Sequence, residues 1–210
     1  MRRAGDSFGL KNDFPYRRAR CAKEVACGLC EPRLTYNGEF TLKVIETDRL
    51  NLRWLSTDDA EFILELLNDP SFLRFIGDKG VKTLDDARNY ILNGPVDMYN
   101  RLGFGLYLTE LKDGGVPIGI CGLLKRDSLA DVDIGFAFLP RFWAKGYAYE
   151  SAAAVMAYGK TALGLRRIVA ITSPDNDASA RVLEKIGLRF ERMIRLSKDA
   201  SEVRLFAADI

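Results

Sequence analysis

The sequence predicts a mixed α+β fold, with a central, mostly antiparallel sheet flanked by helices. Two observations carry this reading. Across the 210 residues, the patterned runs follow one another as strand, two helices, three strands, helix, strand, helix and two strands. That order is not the alternating array of a doubly wound parallel sheet, and no glycine-rich turn follows the first strand. The three middle strands are also joined by turns too short for a crossover, which makes them an antiparallel meander.

Each element has its own signal. Residues 42–55 read as a strand, with Leu50, Leu52 and Trp54 in alternation. Ser56-Thr57-Asp58-Asp59 offers cap chemistry, and Phe62, Ile63, Leu66 and Leu67 follow at helical spacing. Asn68-Asp69-Pro70 reads as the stop of that helix. Thr83 opens a second helix with Ala87, Tyr90 and Ile91 on one face, broken or bent at Asn93-Gly94-Pro95. Strand-like runs follow at 103–111, 116–125 and 132–139. An alanine-rich helix spans 146–163 and closes on Gly164. The β-branched run 167–172, a helix capped by Asn176 and ending at Gly187, and strands at 188–195 and 203–208 complete the chain.

Residues 1–40 differ from the remainder. They hold scattered aromatics, arginines and glycines with no sustained period. They are read as an N-terminal extension, flexible or a leader, before one domain at 41–210. The first 38 residues carry eight Lys/Arg against four Asp/Glu, yet the whole chain has a net charge of only +2. No nucleic-acid partner is expected on that balance. No apolar run is long enough to span a membrane, and the two N-terminal arginines precede no apolar block, so a cytoplasmic protein without a membrane partner is expected.

Histidine is absent, which excludes Ser-His-Asp, Cys-His and His-ligated metal chemistry. Proton transfer at neutral pH falls to a carboxylate, Tyr, Cys, Lys, a terminal amine or water. Cys21, Cys27 and Cys30 lack a fourth ligand for tetrahedral zinc, so they are read as reduced thiols and no metal is expected. Cys121 lies in an apolar strand and is expected to be buried.

The stretch that carries chemistry runs from Asp133 to Ala148. A strand ends at Pro140, and Trp143-Ala144-Lys145-Gly146-Tyr147-Ala148 feeds a helix N-terminus. The first amides of a helix lack intrahelical partners and attract anions, a geometry suited to phosphate. Gly146 allows close backbone approach, while Lys145 and Arg141 offer charge. The same residues also suit an ordinary strand-to-helix loop. There is no GxxxxGK[ST] loop and no GxSxG elbow. Past the next strand, Asn176 can cap a helix, Ser179 lies in its first turn, and Lys185-Ile186-Gly187-Leu188 follows.

Together the loop, this second segment and the element order resemble the GNAT superfamily of N-acetyltransferases. The loop fits that family's Q/R-x-x-G-x-G/A pattern at 143–148, and the second segment fits its N-x-x-S/A…K-x-G-F ending. The likeness runs from Thr47-Asp48-Arg49-Leu50 to the end. Trp143 at the Q/R position is similar to the Rim-type branch, which contains ribosomal-protein N-terminal acetyltransferases. Many relatives carry a tyrosine general acid where this chain has Leu183.

The resemblance implies a sheet splayed at the cofactor site and acetyl-CoA as acyl donor. It places pyrophosphate on Trp143, Ala144, Lys145, Gly146, Tyr147 and Ala148. Pantetheine would lie along Ile134, Phe136 and Phe138, with Asn176 and Ser179 beside it. The acceptor would be a primary amine, either a protein N-terminus or a small molecule, attacking the thioester directly. Asp133 stands where Rim-type relatives often carry Glu, and is the favoured base; its alternative reading is a solvated strand-edge carboxylate. Glu110, on a neighbouring strand, is the next candidate, and Glu150 is read as structural. A non-catalytic acyl-CoA-binding module is the rival reading. A monomer or homodimer is expected.

Overall fold

A computed structural model of the chain describes residues 43–210. The readings made for residues 1–40, the cysteine trio included, lie outside the described residues. Among the described residues, eight strands form one sheet: β1 (Lys43–Glu46), β2 (Leu50–Trp54), β3 (Leu106–Leu111), β4 (Pro117–Leu124), β5 (Val132–Phe138), β6 (Arg167–Thr172), β7 (Arg189–Ile194) and β8 (Val203–Asp209). Their spatial order is β1-β2-β3-β4-β5-β6-β8-β7, and every neighbouring pair is antiparallel except β5–β6.

Among the described residues, six α-helices accompany the sheet. They are α1 (Ala60–Asn68), α2 (Pro70–Phe75), α3 (Leu84–Ile91), α4 (Asp97–Leu102), α5 (Tyr147–Thr161) and α6 (Asp177–Lys185). The parallel β5–β6 pair is joined through α5, as a parallel connection requires.

Three boundaries differ from the sequence reading. The run 42–55 is two strands, because Thr47 turns the chain: its amide donates to the Leu50 carbonyl and its hydroxyl accepts from the Leu50 amide. Asn68-Asp69-Pro70 ends α1 but starts α2 at once. Proline is at home in a first helical turn, and Asp69 caps the Ser71 amide at 2.8 Å. Pro95 does not stop the chain's helical course either. A wider π turn over Leu92–Val96 absorbs it and leads into α4, which ends at Gly103 in the left-handed conformation.

The alternation of each central strand sorts its side chains onto two faces. One face carries Leu50, Leu52, Tyr107, Cys121, Leu123 and Ile134 against Ala152, Val155 and Met156 of α5. The other carries Leu108 and Ile120 against Ile63, Leu66, Leu67, Ala87 and Ile91 of α1 and α3. Reciprocal capping boxes at Ser56/Asp59 and Thr83/Asp86 fix the starts of the helical segment on this second face.

Candidate active site

Strands β5 and β6 pair over only two positions, Val132↔Ile168 and Asp133↔Val169, and then part. Both strands continue beyond that point, paired to β4 and β8 on their outer edges. The result is a wedge-shaped gap with Asp133 at its vertex and α5 at its open end. The Leu139 amide bonds to the Ile118 carbonyl in β4. By strand alternation, the backbone polar groups of Ile134, Phe136 and Phe138 therefore point away from β4, into the gap. The Phe138 carbonyl is already taken by the Trp143 indole N–H at 2.7 Å, which leaves Ile134 and Phe136 as the wall residues nearer the vertex.

At the open end, β5 runs through a 3-10 turn at Pro140–Phe142 into the Gly146 turn. Ala144 has φ 58°, and Gly146, which caps α5, has φ 85°. Such left-handed steps turn successive amides towards a common point. No side chain caps α5, and its first helical hydrogen bond runs from the Glu150 amide to the Gly146 carbonyl. The amides of Tyr147, Ala148 and Tyr149 are thus the unpaired donors of a 15-residue helix. A strand gap leading to such a helix end fits a pantetheine arm and its pyrophosphate.

Side chains of the turn are disposed less simply. Trp143 is half exposed, with its indole tied back to β5. The Lys145 ammonium lies 5.5 Å from the Phe142 ring centroid, while Arg141, 5.3 Å from the same centroid, is paired with Glu65 on α1. Tyr147 lies beneath the Arg49 guanidinium, 4.7 Å from its ring centroid. Asn176 caps α6 by accepting from the Ser179 amide at 3.0 Å, so these two residues act together as a helix cap beside β6.

At the vertex, Asp133 is 1 % exposed, so it is not a solvated edge carboxylate. Its Oδ2 accepts from Arg126 Nε at 2.5 Å. Its Oδ1 is buried without a partner at hydrogen-bond geometry. Burial pushes the carboxyl up to about 6, against the opposing pull of Arg126 and the nearby Ile171 amide. The Arg126 charge also acts on Lys79, in the loop after α2, and on Tyr90 of α3. Burial lowers the Lys79 pKa and raises that of Tyr90. The loop carrying Lys79 follows Phe75, whose carbonyl accepts from the Ser173 hydroxyl at 2.8 Å, so the end of α2 is docked beside the end of β6.

The structure does not bring Glu110 to this vertex. Glu110 pairs with Pro117 of β4, while Asp133 pairs with Leu124, seven residues along the same strand. At about 3.3 Å per residue this puts them roughly 23 Å apart along the sheet. Glu110 is bonded to Arg53 at 3.0 Å, which also holds Asp59. Leu183, at the family's tyrosine position, is core. Sequence reasoning missed Arg126, the partner of Asp133, and the Lys79 and Tyr90 that interact with it, because nothing local to a turn, a loop or a helix face announces that they meet.

A splayed β5–β6 pair that opens onto an uncapped, glycine-initiated helix defines the class: a coenzyme A-dependent acyltransferase fold. The comparisons agree. The acetyltransferase (GNAT) domain family matches residues 49–189, and the chain belongs to that family of N-acetyltransferases. An uncharacterized N-acetyltransferase of Bacillus subtilis, YoaA, is 32 % identical over 154 residues, 72 % of this chain and 86 % of that one. A GNAT acetyltransferase of known structure from Bacillus anthracis is 29 % identical with TM-score 0.66, covering 79 % of this chain and 97 % of that one. The RimL ribosomal L7/L12 α-N-protein acetyltransferase shares the fold at TM-score 0.72 and 16 % identity, over 84 % of this chain and 99 % of that one. Among the described residues, no helix is long and apolar enough to cross a membrane.

Proposed function

We propose that this N-acetyltransferase moves an acetyl group from acetyl-CoA to a primary amine that enters beneath α1–α3, with Asp133 as the base. The observation that carries the reading is the coincidence of a buried carboxylate with the point where β5 and β6 part. Acetyl-CoA supplies the acyl thioester. Ile134 and Phe136 offer strand-like pairing to its pantetheine arm, and the amides at 146–149 face its pyrophosphate. Asp133 Oδ1, which has no partner at hydrogen-bond geometry, is the acceptor for the proton lost by the amine, directly or through one water. Arg126 holds the carboxylate in place and keeps its pKa from rising further. With Leu183 in the core, the departing thiolate takes its proton from water or from another side chain.

The acceptor belongs to the class of protein N-termini and small-molecule amines. The cationic Lys79 and Arg126 make the acceptor side favour an amine that also bears an anionic group. Acetyl-CoA should raise the melting temperature, because a ligand of the native state stabilises it. Thiol release in a panel of peptides with free N-termini, polyamines and amino acids then identifies the acceptor. A melting temperature unmoved by millimolar acetyl-CoA sinks the reading. A shift without thiol release on any amine favours a binding module instead.

A further inference from the structure

Outside the vertex, the densest polar contact to any predicted site element comes from Arg49, in the β1–β2 hairpin. Its Nε donates to Glu150 Oε2 at 2.7 Å, and its Nη2 lies 2.6 Å from the same oxygen. Its Nη1 donates to the Lys145 carbonyl at 3.0 Å. Glu150 Oε1 accepts from the Arg49 amide at 2.9 Å and from the Thr47 hydroxyl at 2.6 Å. The guanidinium lies close enough to the turn that a Cβ on Gly146 would sit 3.3 Å from Nη2.

The bond to Lys145 bears on cofactor binding through peptide geometry. In a trans peptide the C=O and the following N–H point in opposite directions. With the Lys145 carbonyl held towards Arg49, the Gly146 N–H points the other way. A residue with φ 85° that has no side chain can also rotate this peptide with little steric resistance. A flipped peptide would present a carbonyl oxygen to an anion in place of an amide. The fold therefore has both a hinge and a latch at the turn.

Glu150 supplies the reason for the latch's position. A carboxylate in the first turn of α5 suits the helix dipole but repels a bound pyrophosphate. Thr47 and Arg49 draw it to the hairpin side. Burial pushes its carboxyl up, and the Thr47 hydroxyl, the Arg49 amide and the Arg49 guanidinium together more than offset this, so its pKa falls below the ordinary value. Glu150 stays ionised, neutralised and turned from the amides.

We propose that Arg49 is a positioning residue for cofactor binding: anchored by Glu150, it pins the Lys145–Gly146 peptide so that the Gly146 amide faces the pyrophosphate. This rests on reading the 143–148 turn as the pyrophosphate site. The test compares affinities for CoA and for pantetheine, which lacks the pyrophosphate, in the full chain and in Arg49→Met and Arg49→Lys. The expected result is about 10-fold weaker CoA binding in Arg49→Met, the loss of one charge-assisted hydrogen bond, with pantetheine affinity unchanged. Arg49→Lys keeps the charge but cannot span Glu150 and Lys145 with a planar fork, so it is expected to lose most of the same affinity. Equal losses for both ligands would indicate general damage and overturn the proposal. Parent-like CoA binding in Arg49→Lys would overturn it too, by showing that charge alone suffices; this variant decides the matter if Arg49→Met fails to fold. A parent chain that binds no CoA removes the cofactor reading itself, an outcome distinct from a parent that binds and variants that match it.

Discussion

Arg126 Nε sits 2.5 Å from Asp133 Oδ2, so the carboxylate at the sheet's branch point has one oxygen neutralised and the other left unpartnered. Burial and the cation act in opposite directions on Asp133, and burial wins, at about 6. A carboxylate with that value is ionised at neutral pH, yet basic enough to receive a proton from an amine. Arg126 is itself 37 % exposed, so its own charge remains hydrated while it buttresses a group that is not.

Asp133→Asn preserves shape and an acceptor for Arg126 but removes the base. Turnover should fall about 100-fold, the lower end of general-base contributions, with CoA affinity nearly intact. In the parent, the rate should rise through about pH 6 as Asp133 ionises; burial sets that value against the pull of Arg126 and the Ile171 amide. In the variant this limb should vanish and the rate should rise only at higher pH, where free amine is abundant. Parallel pH–rate profiles in parent and variant would remove Asp133 from the mechanism.

The same titration has a signature in stability. Asp133 has a folded-state pKa raised above its ordinary 3.8. The protonated carboxyl therefore favours the folded state below about pH 4, and that advantage is lost as pH rises through about 6. Asp133→Asn does not titrate. Its melting temperature should match the parent's near pH 4 and exceed it at pH 7.5, by an amount worth about 3 kcal/mol at most, two pKa units at 1.36 each. Chemical denaturation at both pH values checks the sign; a variant less stable at pH 7.5 would mean that the ion pair with Arg126 outweighs the burial of the charge.

Much of this fold was legible because its signals are local. The Gly146 turn, the caps at Ser56 and Thr83 and the meander all declare themselves within a few residues. The β1–β2 hairpin was missed because its turn rests on one threonine rather than on glycine or proline. The site is harder to read. Alternation places Asp133 and Ile134 on opposite faces, but nothing local says that β6 will leave β5 just past Asp133. The sequence ranks Glu110 behind Asp133 but says nothing of their separation; register sets them at opposite ends of β4. Arg49 and Glu150 stand 101 residues apart in sequence, a separation at which no spacing rule operates.

Cys121 is fully buried on the α5 face of β4, and burial pushes its thiol up to about 12. Thiolate, the reactive form, is then scarce at pH 8. Iodoacetamide should leave the Cys121 peptide unmodified in the native chain and modify it in guanidinium, as read by peptide mass mapping. Native labelling at the rate of an unfolded thiol would place the α5 face of the sheet in a more open state than the packing of Val155 and Met156 allows.

Gly146 is the position at which one substitution should separate cofactor binding from folding. Its φ of 85° disfavours any side chain, and a Cβ there would press on Arg49 Nη2 at 3.3 Å. Gly146→Ala therefore tests backbone and crowding alone: a loss of about 1 kcal/mol in stability is expected from the left-handed conformation, with weakened CoA binding. Gly146→Asp adds a carboxylate beside the unpaired amides of α5. That anion can bond those amides intramolecularly and repels pyrophosphate, so the thermal shift from acetyl-CoA should vanish even at millimolar ligand. The left-handed cost should be no more than in Gly146→Ala, because aspartate is among the few side chains that adopt this conformation. A Gly146→Asp protein that melts near the parent but ignores acetyl-CoA would assign the 146–149 amides to the pyrophosphate. One that keeps the full shift would show that the cofactor's phosphates lie elsewhere on the molecule.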